Sequence, residues 1–207
     1  MRKKPMLLHK VLHGRNNIVR EVIGLVGTHH GAGVTHTGLM LAFYLGEELG
    51  KKTAFLECNN HQDLSLLQHS YEWSEEEADH YSYQNVTLFK SVISKQIPDI
   101  FSDEYECCVL DFGTGYSANR EEFLRCDRKV VVGDRADWNK QKLIRFIETV
   151  KAVPGYDTWN YLIPFASHTE VKELRKRLFM KNLMSVPFHR NPIELSKDIN
   201  VWMRKSF

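Results

Sequence analysis

From Val22 to Ala42 the chain reads Val-Ile-Gly-Leu-Val-Gly-Thr-His-His-Gly-Ala-Gly-Val-Thr-His-Thr-Gly-Leu-Met-Leu-Ala. The apolar run over residues 22–26 predicts a buried strand, and Gly27, Gly31 and Gly33 predict a tight turn. A helix then opens on Thr35 and runs over residues 35–49, ended by Gly50. This is the architecture of a phosphate-binding loop, in which glycines let backbone N–H groups converge on phosphate oxygens and the helix N-terminus adds positive potential. Such a loop ordinarily carries a lysine that holds the terminal phosphates. Val34 stands in its place.

Downstream, apolar runs alternate with segments of helical period. Strands are predicted over residues 53–56, 86–89, 107–110, 129–132, 159–163 and 184–186, the second strand ending at Glu57, the fourth at Asp111 and the fifth near Asp134. Helices are predicted over residues 97–103, 138–153 and 169–181, with a last one after Pro192. This alternation is the signature of βαβ units, so the expected fold is α/β: a three-layer sandwich with a mostly parallel sheet and helices on both faces. The polar, aromatic-rich stretch over residues 59–84, with Trp73 and the acidic Glu75, Glu76, Glu77 and Asp79, reads as short helices and loops.

Composition bounds the rest. With 207 residues, 43% hydrophobic and 26% charged, a single domain over residues 21–207 is the economical reading. Residues 1–20 carry Arg2, Lys3, Lys4, Lys10, Arg15 and Arg20 without an acidic residue, and form a basic N-terminal extension. Such a segment suits an anionic membrane surface or an acidic partner, or is a solvated extension. A net charge of +2 does not indicate nucleic acid as a partner. Cys58, Cys107, Cys108 and Cys126 show no CxxC spacing and read as small buried hydrophobes in a reduced, cytoplasmic compartment. No apolar run is long enough to span a bilayer.

In an open parallel sheet, ligands bind beyond the carboxyl ends of the strands. Three motifs fall there: the glycine loop, Glu57-Cys58-Asn59, and Asp111-Phe112-Gly113. In order and spacing they resemble the ParA/MinD family of deviant phosphate-loop ATPases, and the resemblance spans residues 22–202. It implies a P-loop NTPase-like domain with ATP or ADP and magnesium as cofactors. Where the family loop reads Lys-Gly-Gly-x-Gly-Lys-Thr, this chain has His29, His30, Gly31, Ala32, Gly33, Val34 and Thr35. By resemblance these residues and His36 hold nucleotide. Thr35 supplies the magnesium-binding hydroxyl, and Asp111 supports the metal through water. Both lysines are gone. In the family the first reaches across a dimer to stabilise transition-state charge, and the second neutralises phosphate. Loss of one such donor typically costs roughly 100- to 1000-fold in rate.

Other positions depart in the same direction. Of an acidic pair after the second strand, Glu57 remains and Asn59 replaces its partner; these two and His29 are the candidate catalytic residues. Pro164 stands where the family has an adenine-reading asparagine, and residues 186–189 resemble its base-flanking turn. His29, His30 and His36, with Cys58 and His61, invite a zinc reading, but their irregular spacing and the helix dipole favour the polar lining of an anion pocket. The stripe of Ile193, Leu195, Ile199, Trp202 and Met203 reads as core packing or, as in MinD-like proteins, a membrane contact. The helix bearing Leu143, Ile144, Phe146, Ile147 and Val150 reads as packing or a partner-facing surface. The expected function is a divergent ParA/MinD-like positional or scaffold factor, similar to the TadZ/CpaE branch that places secretion or pilus machinery. It binds nucleotide with slow or absent turnover, and a protein partner or homodimer is implied. The alternatives are an active magnesium-dependent ATPase, with His29 and Glu57 carrying the chemistry, and a nucleotide-free interaction module in which Val34 folds over the site.

Overall fold

The computed structural model describes residues 20–71 and 79–207. Residues 1–19, Trp73 and the acidic Glu75, Glu76 and Glu77 lie outside the described residues. Eight strands form one sheet in the order β3-β4-β2-β5-β1-β6-β7-β8. They are β1 (Glu21–Gly27), β2 (Thr53–Glu57), β3 (His80–Tyr83), β4 (Val86–Phe89), β5 (Cys107–Asp111), β6 (Arg128–Val132), β7 (Asn160–Pro164) and β8 (Leu183–Val186). Every pairing is parallel except that of the edge strand β3 with β4.

The central strands are apolar on both faces because both faces are covered. Ile23, Leu25, Phe55, Val109 and Val130 enter one core with helix α1 (Val34–Phe43), Leu64 of α2 (Asp63–Tyr71), and Ile199 and Met203 of α7 (Lys197–Ser206). Val26, Leu56, Leu110 and Val131 enter the other, with α3 (Ile97–Ile100), α4 (Arg120–Arg125), α5 (Asp137–Val150) and α6 (His168–Leu178). This is the three-layer α/β sandwich that the alternation predicts. It also accounts for the adjacent Cys107 and Cys108, whose side chains point to opposite faces as strand geometry requires; all four cysteines are buried and free.

Helix α1 is apolar nearly all round and correspondingly buried. Its last turn, residues 44–48, widens to a π-helix where Gly46 meets β4: a Cβ there would lie 2.6 Å from Val86 Cγ2. The apolar stripes of α5 and α7 are used inside the fold: Leu143, Ile147, Ile199 and Met203 are buried, and Arg204 and Asn200 bond Glu48, the last residue of the π-helical turn that follows α1. Among the described residues no helix is long and apolar enough to cross a membrane.

Two elements, β3 and α4, were not anticipated by sequence pattern, whereas α2 falls where short helices were expected. The polar stretch after β2 holds the nine-residue helix α2 and the antiparallel strand β3, and α4 follows β5. The helix expected over residues 97–103 is only Ile97–Ile100.

Gly24 lies where α4 and the residue after it close tightly on β1. A Cβ on it would lie 2.7 Å from Cys126 Sγ and 3.1 Å from the Phe123 ring. Gly24→Ala is therefore expected to cost about 1–3 kcal/mol through overpacking, measured by urea denaturation; an unchanged midpoint would show that α4 yields freely.

Candidate functional site

Leaving β1 the chain crosses to β2 on one side and later returns to β6 on the other, so the loop after β1 lies at the switch point where parallel sheets bind ligands. Its base is fixed on both flanks: Gly27 N–H donates to Gly113 O (2.7 Å) and Thr28 N–H to Val132 O (3.0 Å). Gly31 and Gly33 take φ of 80° and 87°, a left-handed backbone that glycine adopts without cost, and Gly33 leads directly into α1. Thr37 N–H makes a return bond to Gly33 O (3.0 Å), and no side chain caps the helix. The amides of Val34, Thr35 and His36 thus face outward from a helix N-terminus, an arrangement that favours anions.

Val34, in the lysine position, is folded inward. It is buried, and its Cγ2 lies 2.6 Å from where a Cβ on Gly27 would be. Gly27 is what allows this approach. An apolar side chain therefore covers the end of β1 where the resemblance places a cation.

Register sets Glu57 and Asp111 side by side, one strand apart at the carboxyl edge, and both are fully buried. Their tasks differ. Glu57 Oε1 accepts from Leu64 N–H (3.3 Å) and Oε2 from Ser91 N–H (3.2 Å), tying the start of α2 and the loop after β4 to β2. Burial raises its pKa, and the amide bonds oppose that rise. Asp111 Oδ1 accepts from Gly113 N–H (2.8 Å), while Oδ2 is buried without a partner. Burial raises the Asp111 pKa from 3.8 to about 6, against the pull of the nearby Thr35 hydroxyl. That hydroxyl donates to Asp63 Oδ2 (3.2 Å), in the first turn of α2. Thr35 thus faces both carboxylates, and Asp111 Oδ2 has no hydrogen-bond partner. Magnesium suits this set, since a hydroxyl and an unpartnered carboxylate oxygen are hard oxygen donors.

Asn59 acts as a brace: its amide donates to the Asp111 carbonyl (3.1 Å) and its Oδ1 accepts from His61 N–H (3.0 Å). The histidines do not converge. His29 shares a hydrogen bond with Thr28 Oγ1 (3.0 Å), and its Nε2 lies 3.7 Å from Asp134. Burial, aided by repulsion from Lys142, holds the His29 pKa below the usual imidazole range despite Asp134. His30 sets its ring edge against His61, centroids 5.2 Å apart. His36 is held low by burial, and its Nε2 lacks a partner. Among the described residues no three His, Cys, Asp or Glu are grouped to hold a metal.

Two cavities open at this edge of the sheet, one against the loop and one beyond the ends of β2 and β5. One of about 170 Å³ is lined by Gly31, Gly33, His36, Asp134, Pro164 and Phe165, and the rings of Phe165 and Phe188 pair beside it at 5.4 Å. The other, about 620 Å³, mixes polar residues such as Asn59, Ser91 and Asn119 with apolar Val92, Ile93 and Phe112. Sequence alone singles out neither Asp63 nor the link of His29 to Asp134. A helix-start signature at Gln62-Asp63-Leu64 is the one available hint to the former.

The raised Asp111 pKa has a pH consequence. The folded protein holds this proton more tightly than the unfolded chain, so stability falls as pH rises from about 4 through about 6 and stays lower above. A rise from 3.8 to about 6 corresponds to at most about 3 kcal/mol. In metal-free buffer, Asp111→Asn should match wild type near pH 4 and be the more stable protein at pH 7.5, read from urea unfolding. Equal stabilities at both pH values would contradict this.

A scan of protein-family profiles gives no match to this sequence, and neither does a comparison with curated protein sequences. Solved structures do match. A plasmid partition protein of Borrelia burgdorferi, bound to AMPPNP, aligns at TM-score 0.65 and 14% identity over 90% of this chain and 96% of that one. A ParA family ATPase of Chlorobium tepidum aligns at 0.61 and 12% identity, over 84% and 85%. The MinC:MinD cell division complex of Aquifex aeolicus aligns at 0.59 and 14% identity, over 89% and 86%. With near-complete coverage on both sides, the chain has the fold of the ParA/MinD ATPases.

Proposed function

We propose that this chain is a ParA/MinD-like positional or scaffold factor that binds ATP or ADP with magnesium and hydrolyses it slowly or not at all. The observation that carries this reading is the fate of the two lysine positions: Val34 lies over Gly27, and His29 is held beside Asp134 with its charge suppressed by burial. Phosphate binding then falls to the amides from Gly31 to Thr35, with Thr35 and Asp111 serving magnesium. When bound, that ion neutralises phosphate charge. Glu57 and Asn59, the candidates for orienting a water, already hold backbone groups. Fewer groups remain for hydrolysis than for binding.

The assembly served, whether secretion, pilus placement or another positional task, rests on likeness to the TadZ/CpaE branch. A homodimer or protein partner in the cytoplasm, at or away from a membrane, belongs to the same reading. The inward Val34 also favours a second one, a nucleotide-free interaction module.

Isothermal titration with MgATP, paired with phosphate release, separates the possibilities. Wild type is expected to bind without turnover, and Thr35→Ala to abolish binding. Turnover lost in both Thr35→Ala and Asp111→Ala would establish the ATPase instead. Absence of any binding would favour the module. Val34→Lys should tighten MgATP by roughly tenfold or more, as expected for a restored charged hydrogen bond of about 1.5–3 kcal/mol; unchanged affinity would mean that phosphate does not reach the loop.

A further inference from the structure

With its lysines replaced, the carboxyl edge of the sheet retains its acids. Asp63 Oδ2 accepts from the Thr35 hydroxyl at 3.2 Å, and Asp111, at the carboxyl end of β5, lies close to the same hydroxyl. Asp111 Oδ2 is fully buried and unpartnered. Asp63 is partly exposed, which gives an ion a way in. Glu57 does not compete, because both its oxygens are engaged by amides. His61 lies near Asp111, against Gly113. An open carboxylate oxygen, a second carboxylate and a hydroxyl, all hard donors, are what magnesium or manganese takes, with water completing the octahedron. A bare polyphosphate entering here meets two like charges first.

We propose that Asp63, together with Thr35 and Asp111, forms a divalent-cation site that fills without nucleotide and so makes the cation the first ligand of the loop. The resemblance assigns Thr35 and Asp111 to magnesium and leaves Asp63 with no part. The inference rests on the proposed function for the identity of the metal and extends it to the order of binding. Glu57 is the positioning residue, since its bond to the start of α2 carries Asp63 to Thr35.

The test is a titration of the nucleotide-free, chelator-treated full chain with MnCl2, following free Mn2+ by electron paramagnetic resonance. Wild type should take up a single saturable ion, displaced by excess Mg2+. Asp63→Asn and Asp111→Asn should each weaken uptake by about tenfold or more, at least the effect typical of an outer-shell partner, while Asp99→Asn on α3 should not. Asp63→Asn keeps an acceptor for Thr35, and circular dichroism confirms its folding; the wild-type titration stands without any variant. No saturable uptake by wild type, or undiminished uptake by folded Asp63→Asn, overturns the proposal. Repeating the titration with ATP, counting only Mn2+ taken up beyond a protein-free ATP blank because ATP itself chelates the ion, separates the two readings: uptake only with ATP removes the cation-first order and leaves the nucleotide function, and uptake in neither removes both.

Discussion

What this edge of the sheet can hold is decided by a balance of charge at the start of α1. Three outward amides and a helix N-terminus attract anions, but a helix end contributes only about 0.3–1 kcal/mol, up to ~2 where partly buried. A lysine ammonium about 4 Å from a phosphate contributes a gross attraction on the order of 4 kcal/mol at an effective dielectric of about 20. Val34 forgoes that attraction, and Asp63 and Asp111 act against an incoming phosphate. Amides alone are the weaker side of this comparison. A divalent cation reverses it, because it satisfies the acids and presents positive charge to phosphate.

The fold imposes that arrangement through contacts far apart in sequence. Gly27 lacks a side chain, so Val34 can close on the end of β1; Glu57 ties the first turn of α2 to β2, so Asp63 reaches Thr35. A carboxylate buried on a central strand is costly unless it is well bonded, and Glu57 meets that condition with amides alone. Its place in this protein is that of a clamp holding two loops, and Asn59 does similar work for the turn at His61. Side chains at positions associated with hydrolysis here shape the pocket in which binding would occur.

The central architecture was legible in the sequence because β1, β2, β5 and β6 are continuous apolar runs, each ending in glycine or acid at one edge. The glycine loop was legible for the same reason, being local. What escaped was non-local or short. Strand β3, His-Tyr-Ser-Tyr, buries only Tyr81 fully and has no Asn-Gly turn to announce its hairpin; α4 is six residues long. Asp63 has no chemical signature until Glu57 fixes the helix that bears it. His29 resembles a stand-in for lysine until Asp134, on a different strand end, is seen beside it. Local pattern thus located the loop, and tertiary contacts determined the roles of its residues.

The most direct test is crystallographic: crystals grown with AMPPNP and magnesium, examined at the start of α1. The account predicts phosphate oxygens within hydrogen-bond distance of the amides between Gly31 and Thr35, and a metal touching Thr35 and Asp63 with Asp111 facing it. A pocket closed by Val34 with no phosphate density, or a nucleotide seated elsewhere, would contradict it.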